Sequence, residues 1–238
     1  MKNFTTLIKE SFEIYKQKIT PILLILLISG VVMTILGVSL GGSMMFSVLK
    51  LKDTAAIETV KALFSSPLVI GIFSVIVLWI IFIGLTFIIL TVKPVGTKLK
   101  EIFQEAWKKF GQYLWLVILV SIFVTLSTLF FIIPGIIVGT YLTFYSYIFI
   151  TEGKKGMEAL KHSWKLVEGN WWKVFGRLFL LGIVFNIIYV LLSSVHDLLS
   201  SVFQLFYMPF IVIFSYLIYL ELKKSKEIQI PTQTQPQA

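Results

Sequence analysis

Residues 129–172 decide the fold of this chain, and they read LFFIIPGIIVGTYLTFYSYIFITEGKKGMEALKHSWKLVEGNWW. A hydrophobic run is interrupted by Pro134 and Gly135, and a charged segment follows it and ends at a pair of tryptophans. The uncharged run as a whole covers residues 113–150. One helix of that length would rise about 57 Å, whereas the hydrocarbon core of a bilayer is about 30 Å thick. The run must therefore fold back on itself.

Pro134 and Gly135 mark the place at which the run is expected to turn. Proline disfavours helix at the residue before it, and glycine accepts backbone conformations that other residues avoid. Two halves of about 19 residues each would fit a bilayer. The sequence therefore predicts two membrane spans joined by a tight hairpin near residues 133–135.

The composition of the whole chain indicates an integral membrane protein. Its 238 residues are 57% hydrophobic and 14% charged, with a mean hydropathy of +0.91, whereas a soluble chain carries about 25% charged residues. The absence of cysteine excludes disulfides and thiolate chemistry. The net charge of +9 could suggest nucleic acid as a partner. Because the lysines flank apolar blocks, membrane topology and anionic lipid head groups explain them better.

Six hydrophobic stretches are long enough to cross a bilayer. They lie at about residues 20–41, 67–92, 113–133, 134–150, 171–192 and 198–222. We therefore expect an all-α, polytopic membrane domain with six transmembrane helices over residues 1–222. A tail rich in charge and then in Gln, Pro and Thr follows at residues 223–238, and we expect it to be disordered.

Three amphipathic segments precede the first, third and fifth spans. Each carries an apolar stripe at helical spacing, made of Phe4, Ile8, Phe12 and Tyr15, then Leu99, Phe103, Trp107 and Phe110, then Met157, Leu160, Trp164 and Val167. The segments align without gaps from Ser11, Ala106 and Ser163. This suggests a threefold repeat over residues 1–92, 93–151 and 152–222. Any amphipathic lead-in with an interfacial aromatic residue would look similar, so both explanations stay open.

Basic residues are distributed unequally between the two sides of the membrane. Eighteen fall on the side of the termini and the amphipathic segments, and three fall in the first connection on the other side. By the positive-inside rule, we expect a multi-pass protein of the cell (cytoplasmic) membrane with cytoplasmic N- and C-termini. The three amphipathic helices are then cytoplasmic and interfacial.

Polar residues near the fifth span are the candidate contacts for a lipid or a substrate. Arg177 either binds a lipid phosphate or anionic substrate, or snorkels to the interface, with Glu168 as a possible ion-pair partner. Asn186 either binds a substrate or makes a hydrogen bond between helices. Lys165 and Trp164, on the third amphipathic segment, complete the set of candidate contacts.

The sequence offers no constellation of residues for catalysis. It contains no phosphate-binding loop, metalloprotease motif, nucleophile elbow or dinucleotide fingerprint. The predicted topology places His162 and His196 on opposite faces of the membrane. We therefore predict no catalytic residues, no cofactor and no metal site. Within the spans the only acidic residue is Glu221, at the end of the last one, which argues against an ion-coupled carrier.

One part of the chain resembles a known family. Its motifs are I-P-G-I at residues 133–136, E-G at 152–153, A-L at 159–160, S-W-K-L-V at 163–167 and G-N-W-W at 169–172. In this order they resemble the membrane domain of some glycerophosphoryl diester phosphodiesterases and of the related YciC-like six-span proteins. The resemblance implies a prokaryotic cytoplasmic-membrane protein. It implies no hydrolase activity here, because the catalytic barrel of the phosphodiesterases is absent from these 238 residues.

These observations lead to two functional hypotheses. The first is a non-catalytic membrane accessory or scaffold protein that acts on membrane lipids, chiefly anionic head groups, or on partner proteins. The alternative is a transporter or lipid translocase with a path between the helical hairpins near Arg177 and Asn186. Neither hypothesis involves nucleic acid.

Overall fold

The structure is a computed structural model that describes residues 2–48 and 67–229. Its elements in chain order are α1 (Phe4–Gln17), α2 (Ile19–Val48), α3 (Pro67–Val92), α4 (Leu99–Phe130), α5 (Ile132–Leu142), α6 (Tyr145–Glu152), α7 (Gly156–Val167), α8 (Trp171–Ser193) and α9 (Asp197–Gln229). The described residues form helices and no strand, which confirms the all-α prediction. Six helical stretches among them are long and apolar enough to cross a membrane.

The chain divides into two compact units. One is Thr20–Gly84, and the other combines Met1–Ile19 with Leu85–Ala238. The first unit contains α2 and most of α3, both of them apolar around their whole circumference. The connection predicted between these two helices lies mainly at residues 49–66, outside the described residues. The second unit contains all the predicted site residues.

α4 and α5 pack against each other and confirm the predicted hairpin. The chain turns at Phe131, which has an extended backbone and lies two residues before the predicted turn. Pro134 consequently lies in the first turn of α5. The backbone N–H groups of a first turn have no partner within the helix, so the N–H that proline lacks costs no hydrogen bond there. Gly135 is needed for close packing, because a Cβ built there would lie 2.1 Å from Oγ1 of Thr128. The turn therefore lies two residues before the predicted position, and Pro134 and Gly135 stand directly after it at the start of α5.

The fourth predicted span is interrupted between α5 and α6, at Thr143 and Phe144. The Ser163 hydroxyl of α7 donates to the Tyr141 carbonyl oxygen at 2.8 Å. The Phe144 amide donates to the same hydroxyl at 3.2 Å. A buried backbone group without a partner is costly, so α7 supplies the hydrogen bonds that the interruption removes. Neither proline nor glycine occurs at residues 140–145, which is why the sequence did not indicate the break.

The first and third amphipathic segments form the separate helices α1 and α7, but the second is the N-terminal part of α4. α4 continues without a break through Gly111 to Phe130. A single glycine lowers helix stability by only about 1 kcal/mol, which is too little to end a helix packed on its neighbours. The prediction of three separate interfacial helices is therefore wrong for the second segment.

The aromatic residues of the three aligned segments face away from the protein interior. Phe12, Trp107 and Trp164 are 50%, 75% and 40% exposed. Full burial is shared instead by the preceding small residue and the residue four positions before it, namely Ser11 and Leu7, Ala106 and Ile102, and Ser163 and Ala159. Exposure of these aromatic residues agrees with the interfacial position expected for them, and the placement of the segments at a membrane surface stays a prediction. Common descent of the three copies stays a prediction.

The last helix, α9, continues to Gln229, so the prediction of disorder is wrong for residues 223–229. Lys223 Nζ lies 3.2 Å from the Glu152 carboxylate. Lys226 Nζ donates to the Glu168 carbonyl oxygen at 3.0 Å. These contacts tie the final turns of α9 to α6 and to the end of α7. Residues 230–238 lie outside the described part of the chain.

Candidate functional site

A carboxylate joins α6, α7 and α9. Glu152 is the last residue of α6, and its side chain is 12% exposed. The Tyr219 hydroxyl of α9 donates to this carboxylate at 2.9 Å. Three basic groups also surround it at 2.7, 3.3 and 3.2 Å, namely Nδ1 of His162, Nζ of Lys154 and Nζ of Lys223. The carboxylate therefore stabilises the packing of the three helices, because groups of the protein itself occupy its hydrogen-bonding positions.

His162 serves this carboxylate only when its Nδ1 carries a proton. The same nitrogen lies 2.7 Å from Glu152 and 2.9 Å from Lys154 Nζ. An ammonium group can only donate, so a hydrogen bond from Lys154 would require an unprotonated Nδ1. We assign the proton to Nδ1, because the shorter contact is to an ionised acceptor. Ser163, beside His162 in sequence, bonds to the break between α5 and α6 instead.

Arg177 forms an ion pair within the protein. Its guanidinium donates to the Glu221 carboxylate at 2.7 Å, and the two side chains are 12% and 10% exposed. It also donates to the backbone carbonyl of Lys2, whose own amide donates to Glu221 at 2.5 Å. Arg177 thus connects the N-terminal segment, α8 and α9. Glu221 takes the place of the partner that the sequence suggested, Glu168, and no pattern in the sequence indicated it.

Asn186 lines a pocket that is separate from Arg177. This pocket lies between α8 and α9, measures about 350 Å³ and is also lined by Gln204 and Tyr207. Asn186 lies nine residues beyond Arg177 on the same helix, which is a rise of about 13 Å. The two candidate contacts therefore do not share a cavity. A transport path between the hairpins near Arg177 and Asn186 stays a prediction, and Gln204 is a further polar group of the pocket at Asn186.

Lys18 closes the C-terminal end of α3. Its ammonium donates to the carbonyl oxygens of Leu90, Thr91 and Lys93 at 2.7, 2.8 and 2.7 Å, and the residue is 5% exposed. The last carbonyls of a helix have no partner within it and carry partial negative charge. Burial lowers the pKa of Lys18 to about 8, so the ammonium form still prevails at neutral pH.

Trp164 stacks on Tyr141, with ring centroids 4.1 Å apart and an interplanar angle of 10°. Trp164 lines a groove of about 330 Å³ between α4, α5 and α7, the α7 groove, which includes Lys161. Tyr141 lines a groove of about 770 Å³ between α5 and the start of α8, the α8 groove, which includes Lys173. The stacked pair therefore separates two mostly apolar grooves with one lysine each. Lys165 is exposed beside Trp164 but does not line either groove.

Five of the ten Asp and Glu side chains of the second unit form described ion pairs with its own basic groups. The described pairs join Glu10 to Lys2, Glu13 to Lys16, Glu105 to Lys93 and Lys109, Glu152 to its three partners and Glu221 to Arg177. Among the described residues, no carboxylate pairs with Lys161, Lys165 or Lys173. The described part of the chain also holds no group of three or more His, Asp or Glu side chains able to bind a metal ion.

The charged and aromatic residues of the second unit fall into two groups. One group holds helices together through buried or half-buried ion pairs, and the other consists of lysines and aromatic rings on the outside of α7 and the start of α8. The sequence identified Trp164, Lys165 and Arg177 but missed Tyr141, Glu152 and Glu221. The Glu152-Gly153 motif and the position of Glu221 as the only acidic residue within the spans drew attention to two of these residues, but not to their partners.

A comparison with protein families finds one match. A family described as a domain of unknown function (DUF7847) matches residues 106–221, which cover α4 from Ala106 through α9 as far as Glu221. No curated protein and no solved structure matches the chain. The resemblance to the membrane domains of glycerophosphoryl diester phosphodiesterases stays a prediction.

Proposed function

We propose that this protein is a non-catalytic accessory or scaffold protein of the cytoplasmic membrane that binds anionic phospholipid at the stacked Tyr141–Trp164 pair. The observation that carries the proposal is the pair itself, with an apolar groove on either side and one lysine in each. A phospholipid has two acyl chains and one phosphate. Its chains fit two grooves separated by a ridge, and its phosphate fits a position between Lys161 and Lys173.

The electrostatics of the surface support an anionic rather than a neutral lipid. The chain carries a net charge of +9, and none of the ion pairs among the described residues of the second unit involves Lys161 or Lys173. A lysine near an anionic membrane surface contributes about 1 kcal/mol of binding free energy. Tryptophan and tyrosine favour the level of the head groups, so Trp164, Trp171 and Tyr141 suit the same depth. The same distribution of lysines supports cytoplasmic termini.

A lipid-retention measurement tests this function. The full-length chain is purified in detergent, mixed with phosphatidylglycerol or phosphatidylcholine, and examined by native mass spectrometry. We expect wild type to retain phosphatidylglycerol preferentially. The double variant Lys161→Gln/Lys173→Gln should lose affinity for it by about fivefold per lysine, which corresponds to about 1 kcal/mol each.

The matched control is Lys98→Gln/Lys155→Gln, which removes the same charge from two exposed lysines outside the grooves. We expect this variant to keep the lipid preference of wild type. Equal retention of the two lipids by wild type would refute the proposal. So would an equal loss in the control variant, because the effect would then come from net charge rather than from the grooves.

A further inference from the structure

The tip of the α4–α5 hairpin lacks the polar side chains that are typical of a turn exposed to water. Residues 129–133, LFFII, are large and apolar, and each is 70% to 79% exposed. Residues 129–139 contain no polar side chain at all. The turn between α8 and α9 differs, because it reads Ser-Ser-Val-His-Asp over residues 193–197. An exposed apolar patch of this size needs an apolar environment.

Charged side chains lie close to this tip. Lys161 lines the α7 groove together with Phe123 and Ser127 of α4. The rise along α4 from Phe123 to Phe130 is only about 10 Å. Lys173 is also close to the tip, because it lines the α8 groove together with Ile133 of α5. The tip therefore extends on the order of 10–15 Å beyond the level of two lysines.

A hairpin that crosses the membrane would need a much longer reach. The hydrocarbon core is about 30 Å thick, so the turn of a spanning hairpin lies about 30 Å from the charged side. If this tip reached the far interface, Lys161 and Lys173 would lie inside the hydrocarbon, where charged side chains are rare and costly. Snorkelling of one side chain would not resolve this, because α7 also exposes Glu158 and Lys165.

The returning arm of the hairpin is short. α4 is long enough to cross a bilayer, but α5 has 11 residues, which is a rise of about 16 Å. α5 ends at Leu142 and α6 follows after Thr143 and Phe144, and Ser163 of the polar-faced helix α7 satisfies the backbone at this break. The indole of Trp171, at the start of α8, donates to the Ile137 carbonyl oxygen at 3.4 Å. Interfacial elements are thus bound to α5 along most of its length.

We infer that the α4–α5 hairpin enters one leaflet of the bilayer, turns at Phe131 within the hydrocarbon and leaves on the same side, so that residues 129–133 contact acyl chains. The leaflet is the one that faces Lys161 and Lys173. Because such a hairpin enters and leaves by one face, the side on which α1 and the end of α9 lie is unchanged. The inference does not depend on the choice of lipid head group.

The chain contains no cysteine, so single-cysteine variants can report the depth of the tip. Phe131→Cys places a nitroxide spin label at the tip, and Val195→Cys places one in the polar α8–α9 turn, where Val195 is 72% exposed. The full-length protein is reconstituted in phosphatidylglycerol–phosphatidylcholine vesicles. Collision rates with oxygen and with a water-soluble nickel chelate then give the depth of each label.

We expect the label at residue 131 to collide with oxygen and not with the nickel chelate, at a depth near the centre of the bilayer. The label at residue 195 should collide with the chelate. A tip label as accessible to the chelate as the turn label would overturn the inference, because the hairpin would then cross to water. Strong spin–spin broadening at residue 131 would also overturn it, since a second copy would then cover the tip. Leu129→Cys provides the same readout if the first variant does not fold.

Discussion

The guanidinium of Arg177 and the carboxylate of Glu221 form a 2.7 Å ion pair between α8 and α9, with side chains only 12% and 10% exposed. Removing one partner leaves the other charge buried and alone, which typically costs 3–5 kcal/mol. We expect Arg177→Met to lower the free energy of unfolding by about that amount, and Arg177→Met/Glu221→Leu to recover most of it. Denaturant unfolding of the protein in detergent, followed by tryptophan fluorescence, measures both.

The control for this pair is Lys173→Met on the same helix, at an exposed position, where we expect a change below about 0.5 kcal/mol. A loss for Arg177→Met as small as that of the control would mean that the ion pair contributes little to the fold.

The hydroxyl of Ser163 should contribute more to the free energy of unfolding than the hydroxyl of Ser11 at the aligned position, although both residues are fully buried. Ser163 serves the break between α5 and α6, whereas Ser11 donates to the Leu7 carbonyl oxygen of its own helix at 2.7 Å. We expect Ser163→Ala to lower the free energy of unfolding by about 1–3 kcal/mol. Ser11→Ala should be nearly neutral, because alanine already occupies the aligned position 106. Equal effects in the two variants would contradict the role assigned to Ser163.

Gly135 and Gly139 of α5 should respond to alanine in opposite directions. A Cβ at residue 135 would lie 2.1 Å from Oγ1 of Thr128 and 3.1 Å from its Cα, whereas a Cβ at residue 139 has nothing within 4 Å. We expect Gly135→Ala to destabilise by about 1–3 kcal/mol through overpacking of the hairpin. Gly139→Ala should stabilise by up to about 1 kcal/mol through helix propensity. Thermal unfolding of the two variants in the same detergent decides the matter, and tolerance of alanine at residue 135 would rule out the close approach.

Lys18 should make stability depend on pH above neutrality. Its pKa in the folded protein is about 8, below the ordinary value of 10.5. Between these two values the unfolded chain binds more protons at this group than the folded protein, so the free energy of unfolding rises with pH in that window. We expect Lys18→Met to be less stable than wild type at pH 7, because three carbonyls lose their donor. The gap should widen between pH 8 and 10.5, and a gap that narrows there would contradict the pKa shift.

The sequence was sufficient for the features that depend on length and composition. The number of apolar stretches follows from bilayer thickness, and the α4–α5 hairpin follows from the length of the uncharged run at residues 113–150. It was insufficient where the result depended on contacts distant in sequence. The break at Thr143 exists because Ser163 satisfies it, and α9 continues past Lys223 because Glu152 lies opposite. No local pattern contains that information.

For the candidate site, too, the sequence indicated individual residues but not the contacts between residues distant in sequence. Trp164 stood out because a tryptophan before a span is typical of a membrane interface, and Arg177 because an arginine within a span is rare. The sequence did not indicate that Tyr141 would stack on Trp164 or that Glu221 would pair with Arg177.

The contact between Lys2 and Glu221 has a consequence for biosynthesis. It joins residues 219 positions apart, so it cannot form until Glu221 has left the ribosome. Until then the face of α1 that packs on α9, with Leu7 and Tyr15, has no cover from that helix. A chain that stalls or ends early keeps an apolar, lysine-bearing segment available to chaperones and proteases. The contact thus distinguishes chains in which Glu221 has been synthesised from chains that stop before it.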